Sequence, residues 1–203
     1  MSASGWILAV EDPLGEAVCL KLLDRVGVQS PHVLAKRGNT YLKSKVRELN
    51  RTSQRLPVLL VTDLDRLSCP AELIQSWLGG DPLGPRFLLR VAVREIESWI
   101  MADRAEFAEF LGIPAKSVPS APDEVEDAKA RVVRLSRSSP RRELRRALVP
   151  ADGATSRVGP GYNSEFSRFI RDRWSPDSAA KISPSLRRSF DRLSRSVQLE
   201  SSG

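Results

Sequence analysis

A chain of 203 residues can bury a core for one α/β unit with an appendage. Its 41% hydrophobic and 28% charged content fit a soluble globular protein, and no apolar run is long enough to span a membrane. Two cysteines without a CxxC pair (Cys19 and Cys69) and a lone histidine (His32) argue against a zinc centre and against histidine-based hydrolysis, and suit a reducing cytoplasm. The Met1 to Trp6 segment lacks the basic and apolar regions of a signal peptide. The net charge of +7 is unevenly spread. Lys129, Arg131, Arg134, Arg137, Arg141, Arg142, Arg145 and Arg146 crowd one segment in which Glu143 is the only acid. Such a cluster is either a footprint for polyanions or a solvated helix face.

Gly5 to Val10 reads as a first strand that ends at Glu11-Asp12-Pro13. Leu14 to Val26 carries a helical apolar stripe and stops at Gly27. Val33 to Ala35 is a short second strand, with His32 at its edge, and Lys36-Arg37-Gly38-Asn39 a basic turn. Tyr41 to Gln54 is a polar helix with Leu42, Val46 and Leu49 inward. Val58 to Thr62, an apolar run between Pro57 and Asp63, reads as a central parallel strand buried on both faces. A helix over Pro70 to Leu78 follows, then a fourth strand over Phe87 to Val93. Arg94 to Ala102 and Ala105 to Leu111 are helical, the first with Ile96, Trp99 and Ile100 on one face. The alternation predicts an α/β fold, a parallel four-stranded sheet flanked by helices, over residues 1–112. Residues 113–203 form an all-helical, Arg-rich appendage packed on the sheet, with helices over Glu124 to Leu135, Arg141 to Leu148, Asn163 to Trp174 and Leu186 to Val197. The tail from Glu200 is expected to be loose. Trp6, Trp99 and Trp174 are better read as core than as base-stacking platforms.

Acids fall at three strand ends of this layout. Glu11 and Asp12 follow strand one, with Glu16 a little later. Asp63 and Asp65 follow strand three, and Glu95, Glu97 and Asp103 follow strand four. In open α/β sheets ligands bind at the carboxyl ends of the strands. In extended chain Asp63 and Asp65 would point the same way, and two close carboxylates repel unless a cation sits between them. Magnesium, or manganese, is the hard cation that oxygen ligands suit. An Asp-x-Asp after a strand is equally a turn and a helix cap.

A Glu after strand one and Asp-x-Asp after strand three resemble the Toprim domain of primases, topoisomerases and overcoming-lysogenisation-defect nucleases. Val10-Glu11-Asp12 places Asp12 where the family's first motif carries Gly, and Glu16 matches a further acid of the nuclease type. Val93-Arg94-Glu95-Ile96-Glu97-Ser98-Trp99-Ile100-Met101-Ala102-Asp103 is similar to the Glu-x-Trp…Ala-Asp segment of a bacterial Toprim-like family of unknown function. Gly159 to Asn163 and Ser183 to Leu186 resemble that family's tail.

The resemblance implies a magnesium-dependent nuclease, in a bacterial defence or mobile-element setting. Glu11 would be a metal ligand or general acid/base. Asp63 and Asp65 would hold metal, Glu97 would complete the site, and Glu16 is a weaker ligand candidate. Asp103 is better read as a cap between two helices. Lys129, Arg134, Arg141, Arg142 and Arg145 are candidate nucleic-acid contacts, although Lys129 reads more naturally as a surface lysine. Gly159-Pro160-Gly161-Tyr162 is no Walker loop, because no Gly-Lys-Ser/Thr follows, so ATP use would need a partner protein. The competing expectation is a non-catalytic Toprim-like module that binds nucleic acid or protein and acts with an ATPase partner. A homodimer is one of the assemblies left open.

Overall fold

The structure, a computed structural model, describes residues 5–35 and 38–202. Strands β1 (Ile7–Val10), β2 (His32–Leu34), β3 (Val58–Asp63) and β4 (Phe87–Ala92) form one all-parallel sheet in the order β2-β1-β3-β4. Helices α1 (Pro13–Arg25), α2 (Gly38–Thr52) and α3 (Pro70–Leu78) connect them. The Lys36-Arg37 half of the expected basic turn lies outside the described residues, and Gly38 and Asn39 open α2.

Strand alternation divides the core. Leu8, Val10, Leu59, Val61, Leu88 and Ala92 face one layer, which holds α1 and the helices after β4. Ala9, Val58, Leu60, Phe87, Leu89 and Val91 face the other, against Leu42, Val46 and Leu49 of α2 and Leu73, Trp77 and Leu78 of α3. The sheet is therefore covered on both faces, which is why its strands read as continuous apolar runs.

After β4 come α4 (Ile96–Ala102), α5 (Arg104–Leu111), two 3-10 turns (Ala115–Ser117 and Pro122–Glu124), α6 (Ala128–Arg137), α7 (Arg142–Leu148), α8 (Tyr162–Asp172), α9 (Pro176–Ile182) and α10 (Pro184–Ser202). Their apolar faces share the first layer's core: Trp99, Phe107, Phe166, Trp174, Leu186 and Leu193 are buried together with Trp6 and Leu8. Trp99 and Trp174 are polar-satisfied anchors as well, whereas the Trp6 Nε1 is buried without a partner. Trp99 donates to Ser185 Oγ at 2.7 Å, and Trp174 donates to the Trp99 carbonyl at 3.2 Å. Ser183 Oγ and the Ser185 amide both donate to Asp123, which ties the start of α10 to the second 3-10 turn.

Two local expectations change. Helix α9 was not expected, because only Pro176, Ala179 and Ala180 are buried along it and the apolar period is faint. Its start is nevertheless marked by the Ser175 cap, which accepts from the Ser178 amide, and by Pro176 in the first turn. The tail is not loose at Glu200, because α10 runs on to Ser202 and Glu200 pairs with Arg86. No helix among the described residues is long and apolar enough to cross a membrane.

Candidate functional site

The strand order sets the site. The chain moves from β1 outward to β2, then returns over the sheet to β3 on the other side of β1. The crevice between the carboxyl ends of β1 and β3 is thus the point where the winding reverses, the usual ligand position in open parallel sheets. Glu11 and Asp63 stand there, one just past β1 and the other at the end of β3.

Glu11 Oε1 bridges the crevice. It accepts from Thr62 Oγ1, from the Asp63 amide at 3.2 Å and from Asn39 Nδ2 at 3.3 Å. Burial raises the Glu11 carboxyl above its usual range, against these bonds and with the help of Asp65 and Asp12. Asp63 Oδ1 accepts from the Ile96 amide at 2.9 Å. Burial first, then the charges of Glu97, Glu11 and Asp12, hold Asp63 well above the ordinary carboxylate range.

Asp12, at the position where the resembled motif has Gly, has φ −142°, an extended conformation open to any residue. Its side chain caps α1, accepting from the Leu14 and Gly15 amides at 3.0 and 2.8 Å. Asp12→Ala is expected to cost about 1 kcal/mol near pH 5 and less near pH 8, where relief of like-charge repulsion offsets the lost cap. Urea unfolding at the two pH values measures it.

The expected alternation of Asp63 and Asp65 stops short. β3 ends at Asp63, Leu64 turns into the core, and Asp65 sits exposed with φ +51°. Its amide donates to the Arg94 carbonyl at 2.9 Å. Asp tolerates this left-handed geometry better than most residues, and the turn separates two carboxylates that an extended strand would have aligned.

Glu97 is the most enclosed acid, 1% exposed on the first turn of α4. Its Oε1 accepts from Tyr162 OH at 3.2 Å and lies 3.4 Å from Lys129 Nζ. Its Oε2 is buried without a hydrogen-bond partner. Burial pushes Glu97 up to about 7, Lys129 pulling it back and Glu95 and Asp12 adding to the rise. Burial alone would lower Lys129, but the fields of Glu97, Glu95, Asp12 and Asp63 outweigh it and keep the amine cationic. Burial and the Glu97 charge hold Tyr162 well above its ordinary range, so it stays a donor. Lys129 is therefore not a surface lysine: it heads α6, its amide donates to Glu95 Oε2 at 2.7 Å, and its amine reaches Glu97.

Tyr162, Thr62 and Asn39 were not expected at the site. For Tyr162 the signal was Gly159-Pro160-Gly161. The Gly159 and Gly161 amides donate to the Leu148 and Ala147 carbonyls at 3.0 and 2.9 Å, and a Cβ on Gly159 would lie 2.3 Å from the Ala147 carbonyl oxygen. Only glycine lets this loop press against the end of α7 and deliver Tyr162, first residue of α8, to Glu97.

The other candidates lie apart. Glu16 lines a groove between α1 and α8 with Lys21, Asp24 and Arg171. Asp103 Oδ2 accepts from the Ser175 amide at 2.8 Å, holding the start of α9. Arg141 and Arg145 spend guanidinium donors on the Phe110 and Ser139 carbonyls, at 2.9 and 2.6 Å, while Arg134 and Arg142 are exposed.

The donor set bears on a metal. Among the described residues, no group of three or more His, Cys, Asp or Glu side chains is disposed to hold a metal ion. The orphaned Glu97 Oε2 and the all-oxygen character of the acids do fit magnesium, which takes one or two carboxylates and completes its octahedron with water and substrate phosphate. Comparison of the chain with protein-family models, with curated proteins and with solved structures finds no match.

Proposed function

We propose that the chain is a Toprim-like, magnesium- or manganese-dependent nuclease that hydrolyses nucleic-acid phosphodiesters. The observation that carries this reading is the placement of Glu11 and Asp63 at the winding reversal of a parallel sheet, with Glu97 of α4 close enough for its charge to raise Asp63 and itself paired with the half-buried Lys129. The bacterial-defence setting follows from the sequence resemblance alone.

One or two of Glu11, Asp63 and Glu97 would hold the cation, with Asp65 at the exposed lip and water and substrate phosphate filling the remaining positions; bound there, it would neutralise phosphate charge and acidify a water. The chain's own groups do the rest. Thr62, Asn39 and the Asp63 amide fix Glu11 Oε1 in orientation. Without the cation Glu97 titrates at about 7, so its carboxyl would release a proton on binding one near neutral pH. Tyr162 and Lys129 hold its Oε1, and the Lys129 cation offers charge to a phosphate entering the crevice.

A second reading, a non-catalytic binding module that acts with an ATPase partner, is favoured by the dispersal of the acids and by Asp65 facing solvent. Calorimetry with magnesium and manganese separates the two, on wild type and Asp63→Ala/Asp65→Ala, with and without a short DNA duplex. Metal binding that the double variant loses is expected for the nuclease. Cleavage by Glu11→Ala/Asp63→Ala should then fall by about 10²-fold or more. Unchanged metal-dependent cleavage in that variant sinks the nuclease, and absence of metal binding in every sample selects the binding module.

A further inference from the structure

Many arginines among the described residues are occupied. Arg25 pairs with Asp177, Arg157 with Asp127 and Arg173 with Glu106 and Glu109. Arg104 and Arg131 donate to the Val118 and Ser117 carbonyls. The edge of the sheet breaks this habit. β4 is the outer strand, and α10 packs along it. Arg86, just before β4, grips both carboxylate oxygens of Glu200 near the end of α10.

From that anchor the strand and the helix run in opposite directions. Four residues along β4 cover about 13 Å, the rise of about nine helical residues. Arg90 is thus level with the Arg188 to Arg192 turn of α10. It shares a strand face with Leu88 and Ala92, which are buried in one core with Leu186, Leu193 and Val197 of that helix. Arg188 and Arg192 are one turn apart and exposed on the same flank. Among the described residues no carboxylate pairs with any of the three, and Arg90 Nε is buried without a partner. Burial, then Arg192 and Arg188, lower the Arg90 pKa.

We propose that Arg90, Arg188 and Arg192 form a phosphate subsite that holds the backbone of a nucleic-acid strand beside the acidic crevice. The assignment of the ligand rests on the nuclease reading above. A half-buried guanidinium in the field of two others costs stability, and an anion is the partner that removes the cost. Planar guanidinium forks suit phosphate oxygens. The location also fits. Arg90 pairs in register with Val61, and Ala92 pairs with Asp63. The Cα of Arg90 is therefore about 8 Å from that of Asp63, two residues along and one strand across. A strand with one phosphate at the crevice can lay its neighbours over β4 and α10.

The test is fluorescence anisotropy of a labelled single-stranded oligonucleotide against the full chain across a salt series. Arg188→Gln/Arg192→Gln is expected to weaken binding about tenfold and to reduce the salt slope by about 1.4, the value for two single-strand phosphate contacts. Arg51→Gln/Arg55→Gln, an exposed pair at the other end of the sheet, is expected to stay within twofold. Equal losses in both pairs, no loss in the α10 pair, binding of inorganic phosphate but not of the oligonucleotide, or no binding by wild type each overturns the subsite. Arg90→Leu is expected to raise Tm by about 2–4 °C in anion-free buffer and to abolish the Tm gain that the oligonucleotide gives wild type. A lowered Tm would make Arg90 a packing residue and overturn its part. An oligonucleotide held through α10 yet never cut with any divalent ion sinks the nuclease and leaves the subsite standing. Cleavage that ignores the α10 pair sinks the subsite alone.

Discussion

Glu97→Gln is expected to stabilise the chain by about 3 kcal/mol near pH 8 in the absence of divalent ions, and to abolish metal-dependent cleavage. Glu97 titrates at about 7 in the folded chain and at 4.5 as its ordinary value. Between those values the folded chain binds the extra proton, so stability falls as pH rises from about 4.5 to 7 and stays lowered above. That difference is worth about 3 kcal/mol, and it already includes the attraction of Lys129. Burial raises Glu11 and Asp63 in the same direction, so wild type as a whole should lose stability across the acid-to-neutral range. Gln keeps an acceptor for Tyr162 and Lys129 and removes the ionisation, which flattens the profile. Chemical denaturation at several pH values, with magnesium and with chelator, measures it. Magnesium should restore stability to wild type near pH 8 and do little for the variant. A wild-type profile that is flat between pH 5 and about 8 would show that ionising Glu97 carries no such penalty.

Gly159→Ala is expected to cost about 1–3 kcal/mol and to weaken the site although it touches no acid. The added carbon would meet the Ala147 carbonyl oxygen at 2.3 Å, the Leu148 carbonyl carbon at 2.6 Å and the Val149 nitrogen at 2.7 Å. All three are backbone atoms, so the loop itself must move, and it carries Tyr162. The Tyr162 bond to Glu97 should lengthen or break, leaving Glu97 Oε1 to Lys129 alone. Gly153→Ala is the control. Its φ of +77° is strained for alanine, but the added carbon meets nothing within 4 Å, so a cost of about 1 kcal/mol and an unaffected site are expected. Unfolding curves and the metal-binding calorimetry of both variants decide it. Equal effects of the two substitutions would show that the loop does not position Tyr162.

The sheet, its parallel sense and most helix bounds are legible along the chain because they follow from local patterns. Val58 to Val61 is apolar on both faces because both faces are covered, and Pro13, Pro70 and Gly112 mark helix ends by their backbone limits. Once the strand ends are placed, Glu11 and Asp63 fall on the rim with no further information. Sequence alone also determined that Trp6, Trp99 and Trp174 belong to the core. Only the tertiary structure decided which charges meet. Lys129 lies 32 residues beyond Glu97 and Tyr162 lies 65 beyond it, and only the packing of α6 on α4, and of α8 on α1 and α7 with Tyr162 at its start, brings them to one carboxylate. The same holds at the sheet edge, where antiparallel packing of α10 on β4 gives Arg86 an acid and Arg90 two more arginines. Local periodicity places a residue on a strand, a helix or a face. Burial and the field of groups distant in sequence set its charge state and its partner, and those exist only after the chain has folded.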